Sequence, residues 1–121
     1  MLVTDLMKKC TQFLAKNENA ALAVAMPLHD DRGYFFRFHC RFWSNLYNNP
    51  VIKVYPDDDT DYKMRISELI LELIEFLKYN EDTELAIVTI NGYGDDCNVT
   101  FDFEFLNNLH GIPAIKVNSK H

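Results

Sequence analysis

The hydrophobic positions of this chain follow two periods. Leu2, Val3, Leu6, Met7, Cys10, Phe13 and Leu14 recur at steps of three and four, which predicts an N-terminal helix with one apolar face. Lys8, Lys9, Gln12 and Lys16 lie outside that face, and the polar run Asn17-Glu18-Asn19 ends it. A period of two then takes over. Leu22, Val24, Met26 and Leu28 alternate with Ala21, Ala23 and Ala25, and the small Ala face predicts a helix packed closely against it. Asp30-Asp31-Arg32-Gly33 supplies a turn. Tyr34, Phe36, Phe38, Cys40 and Phe42 then form one face of a long strand, with Phe35, Arg37, His39, Arg41 and Trp43 on the other, so the two runs predict an antiparallel hairpin.

Residues 45–50 read as a loop, and Val51–Tyr55 as a short strand stopped by Pro56. The run Asp57-Asp58-Asp59-Thr60-Asp61 reads as a solvated loop leading into a second helix, where negative charge favours the first turn. That helix carries Ile66, Leu69, Ile70, Leu73, Ile74 and Leu77 on one stripe and Glu68, Glu72 and Glu75 on the opposite side. Leu85–Ile90 is almost continuously apolar, as in a strand buried on both faces. Asn91-Gly92-Tyr93-Gly94-Asp95-Asp96 reads as a hairpin loop. Val99, Phe101, Phe103 and Phe105 then alternate with Asn98, Thr100, Asp102 and Glu104, which predicts one strand with a greasy face and a wet, acidic one. The rest reads as a short tail, and no internal repeat stands out. The expected fold is α+β: a two-layer sandwich over residues 1–121, with an antiparallel sheet of about five strands and two helices, ordered α-β-β-β-α-β-β.

Composition adds a compartment. A chain of 121 residues, 48% apolar, suits one globular domain. Met1-Leu2-Val3-Thr4-Asp5 lacks the basic start and apolar run of a signal peptide, and no stretch approaches the roughly 20 apolar residues that span a bilayer. Cys10, Cys40 and Cys97 are odd in number and widely spaced, which suits reduced thiols. The expectation is a cytoplasmic protein that does not engage membranes.

Charge sharpens the picture further. Residues 57–104 hold 14 of the 18 Asp and Glu against only Lys63, Arg65 and Lys78, a net of −11, whereas residues 1–56 net +3. An acidic surface attracts basic partners and repels nucleic acid. The predicted partner-binding set is Asp57, Asp58, Asp59, Asp61, Glu68, Glu72, Glu75, Tyr79, Tyr93, Asp95, Asp96, Asp102 and Glu104. Tyrosines interleaved with charge have the composition of a protein-binding hot spot. A smaller basic patch, Arg37, Arg41 and Lys53, shares a strand face with Phe35, His39 and Trp43; there Phe35 and Trp43 are expected to pack under a helix or loop.

Chemistry is less legible. Asp57, Asp59, Asp61 and Glu68 match calcium-hand positions 1, 3, 5 and 12, but Tyr62 stands where the sharp turn needs Gly, and a strand precedes the loop. His39 and Cys40 are strand neighbours and point to opposite faces. No metal, cofactor or catalytic residue is assigned, and the chain is not expected to be an enzyme. A small enzyme that gathers Asp102, Glu104 and His39 in a pocket is the third reading, behind two kinds of binder.

The layout, and above all Ile66–Phe105, where Glu-Leu-Ile-Leu-Glu-Leu-Ile-Glu-Phe-Leu-Lys-Tyr-Asn leads into Leu85–Ile90 and then Val-Thr-Phe-Asp-Phe-Glu-Phe, resembles the small α+β immunity proteins of bacterial polymorphic-toxin and contact-dependent growth inhibition systems. The pattern covers roughly a third of the chain. The resemblance implies a protein that binds and neutralises one cognate toxin domain, often a basic nuclease, as a monomer or weak homodimer. The alternative is another acidic binder: a dimeric secretion-type chaperone or a phage-encoded inhibitor.

Overall fold

A computed structural model describes residues 1–27, 35–46, 48–55, 63–90 and 97–118. Within these, the chain forms α1 (Val3–Lys16), β1 (Ala23–Pro27), β2 (Phe35–Leu46), β3 (Asn49–Tyr55), α2 (Ile66–Tyr79), β4 (Ala86–Ile90), β5 (Cys97–Thr100), β6 (Phe103–Leu109) and β7 (Ile112–Val117). The strands make one mixed sheet, ordered β5-β4-β3-β2-β1-β7-β6 and curled into a half-barrel.

This corrects the expected five-stranded antiparallel sheet in two ways. First, β3 and β4 run parallel, as do β1 and β7. Helix α2 is the crossover between β3 and β4, and a crossover is what parallel pairing requires. Second, residues read as a tail form β7, joined to β6 by a two-residue turn at His110 (φ 52°) and Gly111 (φ 94°).

The expected single strand over 98–105 is also two strands. β5 pairs with β4, and β6 pairs with β7 at the opposite edge of the sheet. Phe103 and Phe105 enter the core, but Val99 and Phe101 are 47% and 49% exposed.

The cause is an internal repeat, which overturns the reading that there is none. Residues 63 positions apart play the same part: Leu6 and Leu69, Phe13 and Phe76, Asn17 and Asn80, Leu22 and Leu85, Phe42 and Phe105, Pro50 and Pro113, Lys53 and Lys116. Each half is an αβββ unit, and the units exchange contacts. Leu2 bridges to Glu84 as Arg65 bridges to Ala21. Phe13 meets the Phe105 ring edge-on at 6.4 Å, and Phe76 meets Phe42 at 6.1 Å. The Asn48 amide donates to Asn45 Oδ1, and the Gly111 amide to Asn108 Oδ1. Within this repeat β5 and β6 together correspond to β2, which likewise pairs first with β1 and then with β3. The hairpin registers differ by one: Pro27 faces Phe35, whereas Ile90 faces Cys97. Two residues, Phe101 and Asp102, therefore stand where β2 has His39 alone, and this bulge resets the facing of the strand.

One sheet face carries Leu22, Val24, Cys40, Phe42, Ile52, Val54, Leu85, Ile87, Phe103, Phe105, Ile115 and Val117 into a core with both helices. Val3, Leu6, Cys10 and Phe13 of α1, and Ile66, Leu69, Leu73 and Phe76 of α2, fill it. β4 is buried on both faces as expected, since Ala86 and Val88 join Val51 in a second cluster on the outer face. Ala25 also lies on that outer face, opposite the helices, so the helix expected against the Ala face packs on the Leu22 and Val24 side instead.

Candidate functional site

The outward side of α2 is the surface that distinguishes the two halves. Positions 68, 71, 72, 75 and 79 lie within one helical face. Glu72 and Glu75 are exposed there and Glu68 is half-buried. Leu71 is 67% exposed, Ile74 41% and Tyr79 78%. The apolar stripe over α2 predicts a buried Ile74, but Ile74 is exposed, and Leu71 stands among the three glutamates outside that stripe. The corresponding positions of α1 are Lys8 for Leu71, Lys9 for Glu72, Thr11 for Ile74 and Gln12 for Glu75. Helix α1 performs the same packing role with polar and basic residues at these sites. The fold therefore does not require Leu71, Glu72, Ile74 or Glu75, whereas Glu68 corresponds to the acid Asp5.

A second departure lies on the sheet. On the outer face of the sheet, Glu104 faces Lys116 across β6 and β7, and the side chains approach to 3.8 Å. The equivalent pair is Arg41 facing Lys53, two cations at directly opposed positions, an unfavourable arrangement. The Lys53 ammonium lies 4.7 Å from the centre of the Trp43 ring, a cation–π contact. Trp43, expected under a helix or loop, is 40% exposed. Burial pushes the Glu72 carboxyl above its ordinary range, while Arg41 draws it back and Glu68 adds to the rise.

The predicted acidic set is not brought together as a whole. Asp57, Asp58, Asp59, Asp61, Tyr93, Asp95 and Asp96 lie outside the described residues. Glu68, Glu72, Glu75 and Tyr79 share α2. Glu104 is on the outer face of edge strand β6, and Asp102 precedes it, accepting a hydrogen bond from Asn118 Nδ2 at 2.7 Å. Strand β6 lies three strands from β2 in the sheet order, so His39 is not on a strand neighbouring Asp102 and Glu104. Glu75 meets Lys78 at 3.3 Å, an exposed pair of small energetic weight.

Burial raises the thiols of Cys10 and Cys40 to about 12, so neither supplies a thiolate near neutral pH. Among the described residues no three His, Cys, Asp or Glu side chains are grouped to hold a metal, and no helix is long and apolar enough to cross a membrane.

No family model matches the chain, and neither does any curated protein or solved structure.

Proposed function

We propose that this chain is a cytoplasmic binding protein that captures a basic protein domain on the outward face of α2, in the manner of the immunity proteins its sequence resembles. The observation that carries the reading is the contrast between the helices. Leu71 and Ile74 stand exposed among Glu68, Glu72 and Glu75, where α1 shows that polar residues serve the fold equally well. An apolar centre with a charged rim is the anatomy of a protein interface. The glutamates steer a cationic partner toward the face, and burial of Leu71, Ile74 and Tyr79 then holds it. Inhibition follows from occupying the partner's cationic cleft, without any bond being made or broken.

The test is protection. The adjacent gene is sequenced for a secreted protein with a basic C-terminal domain, and a domain found there is expressed in a host with and without this chain. The chain is expected to restore growth and to co-purify with that domain. The triple variant E68K/E72K/E75K should do neither while keeping its fold by circular dichroism. Full protection by the triple variant would remove the α2 face from the interface.

A further inference from the structure

We infer that two copies of this chain pack helix layer against helix layer about a two-fold axis parallel to the helices, so that α2 of each copy lies on α1 of the other. Within one chain the two helices pack side by side over a common core. They run antiparallel: Asn19, just past the end of α1, binds Ser67 at the start of α2, and Asp82, just past the end of α2, binds Thr4 at the start of α1. Those two contacts fix the levels along the pair, so Ala15 lies level with Leu71 and Thr11 with Glu75. The outward sides of the helices differ in chemistry. α1 exposes Lys8, Lys9 and Lys16 together with the short side chains of Thr11 and Ala15. α2 exposes Glu72 and Glu75 together with Leu71 and Ile74.

Charge selects both the occupant and the axis. An occupant of α2 must set cations against Glu72 and Glu75 and leave room for Leu71 and Ile74. The outward side of α1 in a second copy does both, with lysines beside small residues. A two-fold running across the helices would lay α2 on α2 and set glutamate against glutamate. A two-fold running along them lays α2 on α1 twice and keeps every residue at its own level. Leu71 of one copy then meets Ala15 of the other, and the Glu75 level meets Thr11. Leu71 and Ile74, 67% and 41% exposed in the single chain, leave water in the pair, which favours association. The two halves of the contact are identical, so it closes as a dimer and does not propagate. Every neighbouring pair in the resulting four-helix layer is antiparallel, the ordinary arrangement of a bundle. The inference goes beyond the reading above, because it needs α1 as well as α2 and no second protein. Since α2 serves both, a captured partner and a second copy compete for it.

The experiment uses the full chain alone. Sedimentation equilibrium should show a monomer–dimer equilibrium that weakens as salt rises. E72K/E75K sets lysine against lysine and K8E/K9E sets glutamate against glutamate, so each should weaken the dimer by about tenfold or more. In an equimolar mixture of the two variants, a heterodimer joins one unchanged helix pair and one with both charges reversed, and the affinity should recover. L71K/I74T gives α2 the residues that α1 has at those positions and should also weaken the dimer. Circular dichroism checks that each variant keeps its fold. A wild-type chain that stays monomeric at all concentrations overturns the inference. So does a dimer indifferent to K8E/K9E, or a mixture no tighter than either variant alone. The growth assay reads partner capture separately: K8E/K9E should still protect, and a wild-type monomer that protects sinks the dimer and leaves the binding reading standing.

Discussion

Asp82 caps helix α1 from the other half of the chain. The Thr4 backbone N–H donates to its carboxylate at 3.1 Å, and the Thr4 hydroxyl donates to the second oxygen. No side chain near Leu2 caps that helix. Asn19 does the same for α2, accepting from the Ser67 N–H at 3.1 Å. The exchange of caps ties the two αβββ units together at their helix starts.

Asp82→Ala is expected to destabilise the protein by about 1 kcal/mol, as loss of a helix cap does. The Thr4 hydrogen bond holds the Asp82 carboxyl below its ordinary value of 3.8. A group whose folded pKa is lowered contributes stability above its unfolded pKa and loses it as pH falls through the folded one. The difference between wild type and Asp82→Ala should therefore be complete at pH 7 and shrink below about pH 4. Asn19→Ala removes an uncharged cap, so its cost should persist into acid. Urea unfolding at pH 7 and pH 3 compares them.

Leu69 and Leu71 are two residues apart on α2 and should behave oppositely. Leu69 is fully buried, and Leu69→Ala should cost about 2–5 kcal/mol. Leu71→Ala should leave stability within about 0.5 kcal/mol, because the side chain is mostly in solvent. Denaturant midpoints read both. A large loss at Leu71 would mean that it packs into the fold and is not kept for a partner.

Gly111→Ala tests the β6–β7 turn. A Cβ there meets nothing within 4 Å, so the cost comes from φ of 94° alone and should be about 1–2 kcal/mol. A thermal melt lowered by several degrees is the expected result.

Cys10 and Cys40 should resist a thiol reagent in the native protein and react once urea unfolds it. Both are buried and their thiols are held protonated. Rapid native labelling at both would show that the core opens readily.

Much of the fold is legible in the period of the apolar residues. The helices over Val3–Lys16 and Ile66–Tyr79, the β1–β2 hairpin and the two-sided burial of β4 follow from spacing alone. The repeat escaped because its matches are scattered core positions, spaced by helix and strand periods, and the extra residue at Phe101–Asp102 breaks the offset within one strand. Pairing direction escaped too. It depends on which strand a helix returns to, and local pattern does not carry that. At the candidate site, Glu68, Glu72, Glu75 and Tyr79 were legible as one helical face, but the exposure of Leu71 and Ile74 was not. Amphipathic spacing marks which residues can be buried, not how wide a stripe the neighbouring elements cover.

The sequence by itself determined the two helices, most strand positions and the concentration of carboxylates between residues 57 and 104, because each depends on local periodicity and composition. Only the tertiary structure decided that β5 and β6 lie at opposite edges and that Asp82 and Asn19 cap helices in the opposite half. Those relations join residues far apart in the chain. They exist because two αβββ units bury their apolar faces against one another and share one sheet.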